Sequence, residues 1–260
     1  MMSPAFAGAE DQLWQWVMAM IRPGAAMMAA PFFGAAQVPR QVRIILALMI
    51  GLAATGPANI TMPAETLASF AGFMFLAGEV VVGVAMGFAL QIGFSAVFVA
   101  GETLSNAMGL GFASMNNPQM GGSTPVVGQF LSIVATLLLL AMDGHLMLIA
   151  IIVDSYRTLP PGDAFPSLIA IDNLVQFGGS LFSLGLLIAM PVGASLILIQ
   201  IVMAMLARSA PALNLFAVGL PVALLSGLVL LAMAAPIMAD GIMNAMGDGL
   251  EQSRMIAAGG

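Results

Sequence analysis

Few side chains in this chain are of the types that perform chemistry, and their spacing does not favour catalysis. Asp143 and His145, in the segment Asp-Gly-His, supply one acid and the chain's single imidazole. One histidine in a chain without cysteine makes a poor metal site, and there is no H-E-x-x-H motif or G-x-S-x-G nucleophile elbow. Ser95 and Ser132 lie in apolar segments, and nothing assigns either one a general base. We expect neither an enzyme nor a cofactor or metal site, and assign Asp143 and His145 to helix packing or partner contact.

Glu79 is the remaining side chain that could carry chemistry, because it lies inside a long apolar segment. An ionisable group at such a depth is costly unless it faces a partner or water. One interpretation is a carboxylate that handles protons or ions, and the other is a hydrogen bond between helices. We prefer the structural interpretation. Glu102, just after the same segment, is also expected to be structural, either capping loop donors or pairing with an arginine such as Arg208.

The composition restricts the class of protein. Hydrophobic residues make up 61% of the 260 positions and charged residues 7%, with a mean hydropathy of +1.06. Soluble domains carry roughly 25% charged residues, so this chain has too few to cover a surface that faces water. The six basic residues are all arginines and do not cluster, which argues against a nucleic-acid partner. The first apolar segment has no cation before Arg22, so we expect it to be retained as a helix and not cleaved as a signal peptide.

Apolar residues fall into six segments that predict helices. Crossing the hydrocarbon core takes about 20 residues; segment 42–56 is short for a crossing, and segment 67–100 is long enough to be tilted, kinked or split. We predict an all-α, multi-helix membrane-type protein with about six transmembrane segments. The segments are 13–34, 42–56, 67–100, 126–153, 175–206 and 213–238.

Gly83 and Gly87 form a G-x-x-x-G pair within segment 67–100. Small residues four positions apart share one helix face and let two backbones approach closely. This pair, with the other glycines nearby, predicts a tightly packed helix assembly.

A glycine-rich loop, at about residues 103–125, separates two strongly apolar segments. Irregular backbone is tolerated at membrane depth only where protein or a water-filled cavity satisfies its polar groups. The loop therefore lies at a membrane edge or in a protein-lined cavity, and the second location would place it across a pathway. A transporter is the alternative, for which convergent polar groups at mid-membrane depth and an internal repeat are expected. A packing subunit without a pathway role is a further alternative.

Several segments together resemble the FliR family of flagellar export-gate proteins and its virulence type III secretion counterpart. No single motif is diagnostic, but the order and spacing of the matching segments are specific. The stretches are GEVVVGVAMGFALQIGFSAVFVAGE (78–102), MGLGFASMNNP (108–118), DGHLMLI (143–149), SYRTLP (155–160) and the long stretch 188–231.

The resemblance implies a fold, partners and a place. It implies a FliP-like portion, residues 1–170, fused to a FliQ-like helical hairpin, residues 171–260. The expected partners are FliP-like and FliQ-like subunits, with FlhB-like and FlhA-like export components, in the bacterial inner membrane at the flagellar basal body. Unfolded flagellar proteins would be the cargo. An injectisome subunit is the alternative within the same family.

The family's central loop projects into the channel as a plug, and the resemblance carries this role to five residues here. Glycine permits positive φ and close backbone approach, and an apolar ring side chain can block ions by dewetting a constriction. Gly121 and Gly122 could act as the hinge. The plug residues are Gly109, Leu110, Gly111, Phe112 and Met115, and the residues assigned to packing or partner contact further along the chain are Arg208, Pro211 and Asn214.

Overall fold

The computed structural model describes residues 4–55, 69–111, 126–162, 165–209 and 215–259, and within these ranges all regular structure is helical. This agrees with the predicted all-α class. Three of the helices are much longer than the others, and each is rich in apolar residues on every side, as in membrane or deeply buried helices. The helices are α1 (Pro4–Ala19), α2 (Ile21–Ala29), α3 (Arg40–Thr55), α4 (Phe70–Ala107), α5 (Val126–Ala141), α6 (Gly144–Thr158), α7 (Leu168–Ser209) and α8 (Leu215–Ala257).

The apolar segment 13–34 is divided between α1 and α2, which meet at Met20. Pro23 lies in the first turn of α2 and has no N–H to donate to the carbonyl oxygen of Ala19. Gly24 N–H donates to Met20 O at 2.9 Å, so helical bonding resumes one residue later. The single crossing expected here is therefore two short helices.

The apolar segment 126–153 is also interrupted, at Asp143. This residue has left-handed backbone geometry with φ of 56°, which aspartate tolerates better than most residues. Its carbonyl oxygen accepts hydrogen bonds from the N–H groups of Leu146 (2.9 Å) and Met147 (3.0 Å). The turn thus ends α5 and starts α6 within two residues.

Among the described residues, three helices are long and apolar enough to cross a membrane, and up to four spans result if α5 and α6 count as one. The expected six spans are not confirmed. The lengths explain the difference, because α1, α2 and α3 have 16, 9 and 16 residues, fewer than the about 20 that a crossing needs.

The chain forms two compact units, and each draws on separate stretches of sequence. The first unit comprises Met1–Ile92, Met142–Gly179 and Gly247–Gly260, and one of its core clusters contains Met18, Ala19, Ala54, Phe75 and Tyr156. The second comprises Gly93–Ala141 and Ser180–Met246, with buried side chains such as Leu104, Met108, Leu131 and Leu196. The predicted FliP-like portion, 1–170, and FliQ-like portion, 171–260, are defined by resemblance to other proteins and not by compactness. That division stays a prediction.

Candidate functional site: the stem of the glycine-rich loop

The C-terminal end of α4 leads into the glycine-rich loop through a stem, residues 105–111. Gly109 has φ of 79°, the left-handed conformation that glycine adopts at low cost. Its N–H donates to Asn106 O at 3.0 Å, and the N–H of Leu110 donates to Ser105 O at 2.9 Å. These two bonds form a Schellman motif, so the direction in which the chain leaves the helix is defined by the backbone.

The carbonyl oxygen of Ala107, in the last turn of α4, is satisfied from another helix. Gln200 of α7 donates its Nε2–H to Ala107 O at 2.7 Å. Gln200 is the one polar residue in the stretch 196–207. A lone amide on an apolar helix is stabilised by any hydrogen-bond partner that it can reach. Here the partner is the carbonyl oxygen of the last residue of α4, which no N–H group within the helix can reach.

Two further contacts join the stem to α8. Met108 is fully buried and lies against Gly227, where an added Cβ would come within 2.7 Å of the Met108 Cγ. A Cβ at Gly109 would lie 3.4 Å from the Leu220 Cγ. The stem therefore contacts both α7 and α8 within the second unit.

A cavity of about 360 Å³ lies beside the stem. Its wall is largely apolar, with two amide side chains from Asn106 and Gln200. It is lined by Asn106, Ala107, Gly109, Ile199, Gln200, Met203, Ala204, Gly219, Leu220 and Ala223. The stem is thus packed closely at Met108 and loosely on the side of Ala107 and Gly109.

The residues predicted for the plug divide between the stem and the part of the loop outside the described residues. Gly109, Leu110 and Gly111 are described; Leu110 is half-buried, and Gly111 does not adopt positive φ. A Cβ at Gly111 would lie 2.7 Å from Asn106 Oδ1, the end of an exposed side chain that can turn away, so this contact does not by itself require glycine. Phe112, Met115, Gly121 and Gly122 lie outside the described residues.

Glu79 is part of a buried ion pair in the first unit. Arg22 of α2 donates from Nε to Glu79 Oε2 (2.8 Å) and from Nη2 to Oε1 (2.9 Å), and both side chains are fully buried. Arg22 Nη1 also donates to Ser155 O (2.9 Å) and Oγ (3.0 Å), and Nη2 to Leu159 O (3.0 Å). All five guanidinium N–H groups are therefore used, and Glu79 has the helix-to-helix partner of the structural interpretation.

Tyr156 of α6 completes this buried group. Its hydroxyl donates to Ala19 O at 2.7 Å, the carbonyl that Pro23 cannot satisfy, and its ring lies 4.3 Å from the Arg22 Cζ, within cation–π range. The break between α1 and α2 is thereby stabilised from α6.

Gly83 and Gly87 of α4 face α2, as the packing assignment expects. A Cβ on Gly83 would meet the Arg22 carbonyl oxygen and lie 2.8 Å from the Ala25 Cβ. A Cβ on Gly87 would meet the Ala26 carbonyl oxygen and lie 3.0 Å from the Ala29 Cβ. The two backbones approach too closely for larger residues.

The other assigned residues are not brought together. The ion pairs of the described residues are Arg22–Glu79 and Arg254–Glu251. The pair considered for Glu102 and Arg208 is not among them, and both side chains are exposed. Asp143 is exposed, and its backbone begins α6. The Nδ1 of His145 is buried without a hydrogen-bond partner in the described part of the chain. Pro211 and Asn214 lie outside the described residues.

Sequence reasoning missed Arg22, Tyr156 and Gln200. Arg22 and Glu79 are the buried charges of two apolar segments, and their opposite signs were a usable signal for a pair. Gln200 carried a similar signal, since it interrupts a long apolar stretch. The partner of Gln200 could not be inferred, because a backbone carbonyl leaves no trace in the sequence.

These arrangements define an all-α membrane-type protein in which polar side chains hold helices and a loop stem in place. Over residues 13–249 the chain matches the family described as bacterial export proteins, family 1. It is 34% identical over 222 residues to the flagellar biosynthetic protein FliR of Escherichia coli (strain K12), covering 85% of this chain and 84% of that protein. To FliR of Pectobacterium carotovorum subsp. carotovorum it is 35% identical over 226 residues, covering 86% and 85%. To FliR of Aquifex aeolicus (strain VF5) it is 28% identical over 236 residues, covering 90% of each.

The family match covers far more than half of the chain. The chain therefore belongs to bacterial export proteins, family 1, and it is a subunit of the flagellar type III export apparatus.

Proposed function

We propose that this chain forms part of the export channel and that its glycine-rich loop, residues 103–125, is the plug that closes the channel. The observation that supports this proposal is the anchored stem. A Schellman motif fixes the direction of the chain at Gly109, and Gln200 ties the preceding turn to α7. A loop that must block a pathway needs a fixed base, and the stem supplies one.

The proposed partners are FliP-like and FliQ-like subunits, with FlhB-like and FlhA-like components beside them, in the inner membrane at the basal body. Residues 1–170 are the FliP-like portion and residues 171–260 the FliQ-like hairpin. The large apolar surface of α7 and α8 supports this assignment, because partner helices could cover it and fix the positions of both helices. Unfolded flagellar proteins are the proposed cargo.

A small-molecule or ion transporter is the less favoured function. It would need a free ionisable group at depth. Glu79 is the buried carboxylate of the described residues, and both of its oxygens accept hydrogen bonds from Arg22. It is therefore committed to holding helices together.

The plug proposal predicts that trimming Phe112 to alanine makes the closed channel leak. In the proposed plug, burying a phenylalanine ring would contribute about 1.5–3 kcal/mol to the closed state, and 1.4 kcal/mol corresponds to about a tenfold change. The open fraction should rise roughly ten- to a hundredfold. Ion conductance or small-solute entry is measured in cells that make the assembled complex without cargo.

Deletion of residues 109–115 should leak more than Phe112→Ala, while secretion continues or loses its regulation. Assembly is checked by co-purification with the FliP-like subunit. If both variants assemble and remain as tight as the parent, the loop is not the gate.

A further inference from the structure

We propose that Gln200 is a positioning residue that latches the stem, residues 105–111, against the C-terminal helix pair α7–α8, and that the stem must leave this pair for the channel to open. This proposal rests on the proposed plug function. Beyond the plug itself, it assigns a role to Gln200, which lies outside the loop, and a movement to the stem.

The stem is held unequally on its two sides. At Met108 the side chain is fully buried and lies against Gly227 of α8, where there is no room for a Cβ. At Ala107 and Gly109 the neighbouring space is the cavity of about 360 Å³. This cavity is partly open to the surface, so few dispersion contacts fix the stem on its cavity side.

One polar contact crosses the cavity side. The Gln200 amide, itself part of the cavity wall, donates to Ala107 O at 2.7 Å. The acceptor is a helix-terminal carbonyl, and the donor is the one polar side chain in twelve residues of α7, 196–207. Gln200 is exposed, so the bond contributes only the modest net free energy of an accessible hydrogen bond, which favours the docked stem without holding it permanently.

The buried hydroxyl of Ser105 is consistent with a stem that has a second position. Its Oγ is buried and has no hydrogen-bond partner within the described ranges, although Ser105 O accepts the N–H of Leu110. Buried polar groups are normally satisfied. A stem that leaves α7 and α8 would change the surroundings of this hydroxyl as well as those of Gln200.

The first test replaces Gln200 with methionine, which has a similar shape and no N–H. The expected result is a closed-state leak that rises by roughly two- to tenfold, the effect of one net hydrogen bond. Export of flagellar proteins and the amount of assembled complex should stay near the parent values. A purely structural role would lower assembly and export together without a selective rise in leak.

The matched control is Gln176→Met on the same helix. Gln176 is exposed and donates to Asp172 one turn away (2.6 Å), so its loss should leave the leak unchanged. If Gln200→Met is as tight as the parent while deletion of 109–115 leaks, the latch is wrong and the plug proposal stands. If the deletion is tight as well, the plug proposal itself fails, and the latch fails with it.

The second test cross-links the stem to α8 with the pair Met108→Cys and Gly227→Cys. A Cβ at Gly227 lies 2.7 Å from the Met108 Cγ, so the two Cβ atoms are near the about 3.5–4.5 Å that a disulfide requires. Removing the methionine also clears the space that the new Cβ needs. The chain has no cysteine of its own, so loss of thiol labelling reports this pair alone.

Oxidation should stop export in the double variant, and a reductant should restore it in the same cells. Met108→Cys alone under oxidation is the control, because Gly227→Cys alone would place its Cβ against the Met108 side chain. Full export by a complex whose pair is shown to be cross-linked would overturn the movement of the stem. If the double variant does not export even when reduced, the first test decides: a raised closed-state leak in Gln200→Met supports the latch, and a leak equal to that of the parent overturns it.

Discussion

Arg22 illustrates how a charge can be buried in this chain. Its five N–H groups all donate to protein acceptors, and its side chain has no exposed area. Two of those acceptors are the oxygens of Glu79, so the pair is neutral as a unit. The energetic consequence is asymmetric, because removing one partner leaves an uncompensated charge, whereas removing both does not.

At this scale we predict that Arg22→Leu and Glu79→Leu each destabilise the protein by about 3–5 kcal/mol. The double variant should lose less than either single variant, although Leu159 O then lacks the hydrogen bond from Arg22. The aggregation temperature of the detergent-solubilised complex is the measurement. Arg254→Leu is the control, because its ion pair with Glu251 is at 3.5 Å and mostly exposed and such pairs contribute little. A double variant as unstable as the worse single variant would contradict the asymmetry.

The sequence could predict that Glu79 has a helix partner, but not which one. The partner lies 57 residues away, and Ser155 lies 133 residues from Arg22. Such pairings depend on how α2, α4 and α6 meet, which local patterns do not encode. Gly109 differs, since its left-handed φ belongs to a local helix-terminal motif and could be anticipated from the glycine itself.

At the scale of elements, the contact between α2 and α4 depends on small residues from both helices. Gly83 and Gly87 of α4 face Ala25, Ala26 and Ala29 of α2. The G-x-x-x-G spacing predicted close packing, and the contact has that form. The breaks at Met20 and Asp143 were not predicted, because an apolar segment retains its hydropathy when a missing N–H or a left-handed residue interrupts the helix.

Gly87→Ala should therefore destabilise the protein by about 1–3 kcal/mol, the usual cost of overpacking. The new Cβ meets a helix backbone carbonyl, that of Ala26, which cannot move without shifting α2. Gly179→Ala in α7 is the matched control: nothing lies within 4 Å of its added Cβ, and glycine to alanine within a helix stabilises by up to about 1 kcal/mol. Aggregation temperatures should thus move in opposite directions. A shift of both in the same direction would mean that the α2–α4 contact is not as close as described.

At the scale of the whole molecule, the C-terminal helices leave most of their apolar surface uncovered. In the apolar 18-residue stretch of α4, 50% of the residues are buried by the rest of the chain. The corresponding shares are 22% for α7 and 11% for α8. Large side chains on these helices are mostly exposed, among them Leu187 (63%), Met205 (67%) and Met233 (73%). The composition predicted the membrane-type class. It did not predict which helices are buried by other parts of the same chain.

Such a surface predicts that the chain needs its partners to persist in cells. The apolar area of α7 and α8 far exceeds what soluble monomers leave exposed, and lipid covers it without fixing the position of either helix. When the chain is produced without the FliP-like subunit, we expect rapid degradation or aggregation, and co-expression should restore its level. The measurement is the amount of tagged chain over time after synthesis is stopped, with and without the FliP-like subunit. A variant with Gln176→Met, at an exposed position outside the stem contacts, should show the same dependence as the parent. A stable, monodisperse monomer in detergent would instead mean that α7 and α8 are held by the chain's own contacts, and that the exposed surface is not an assembly surface.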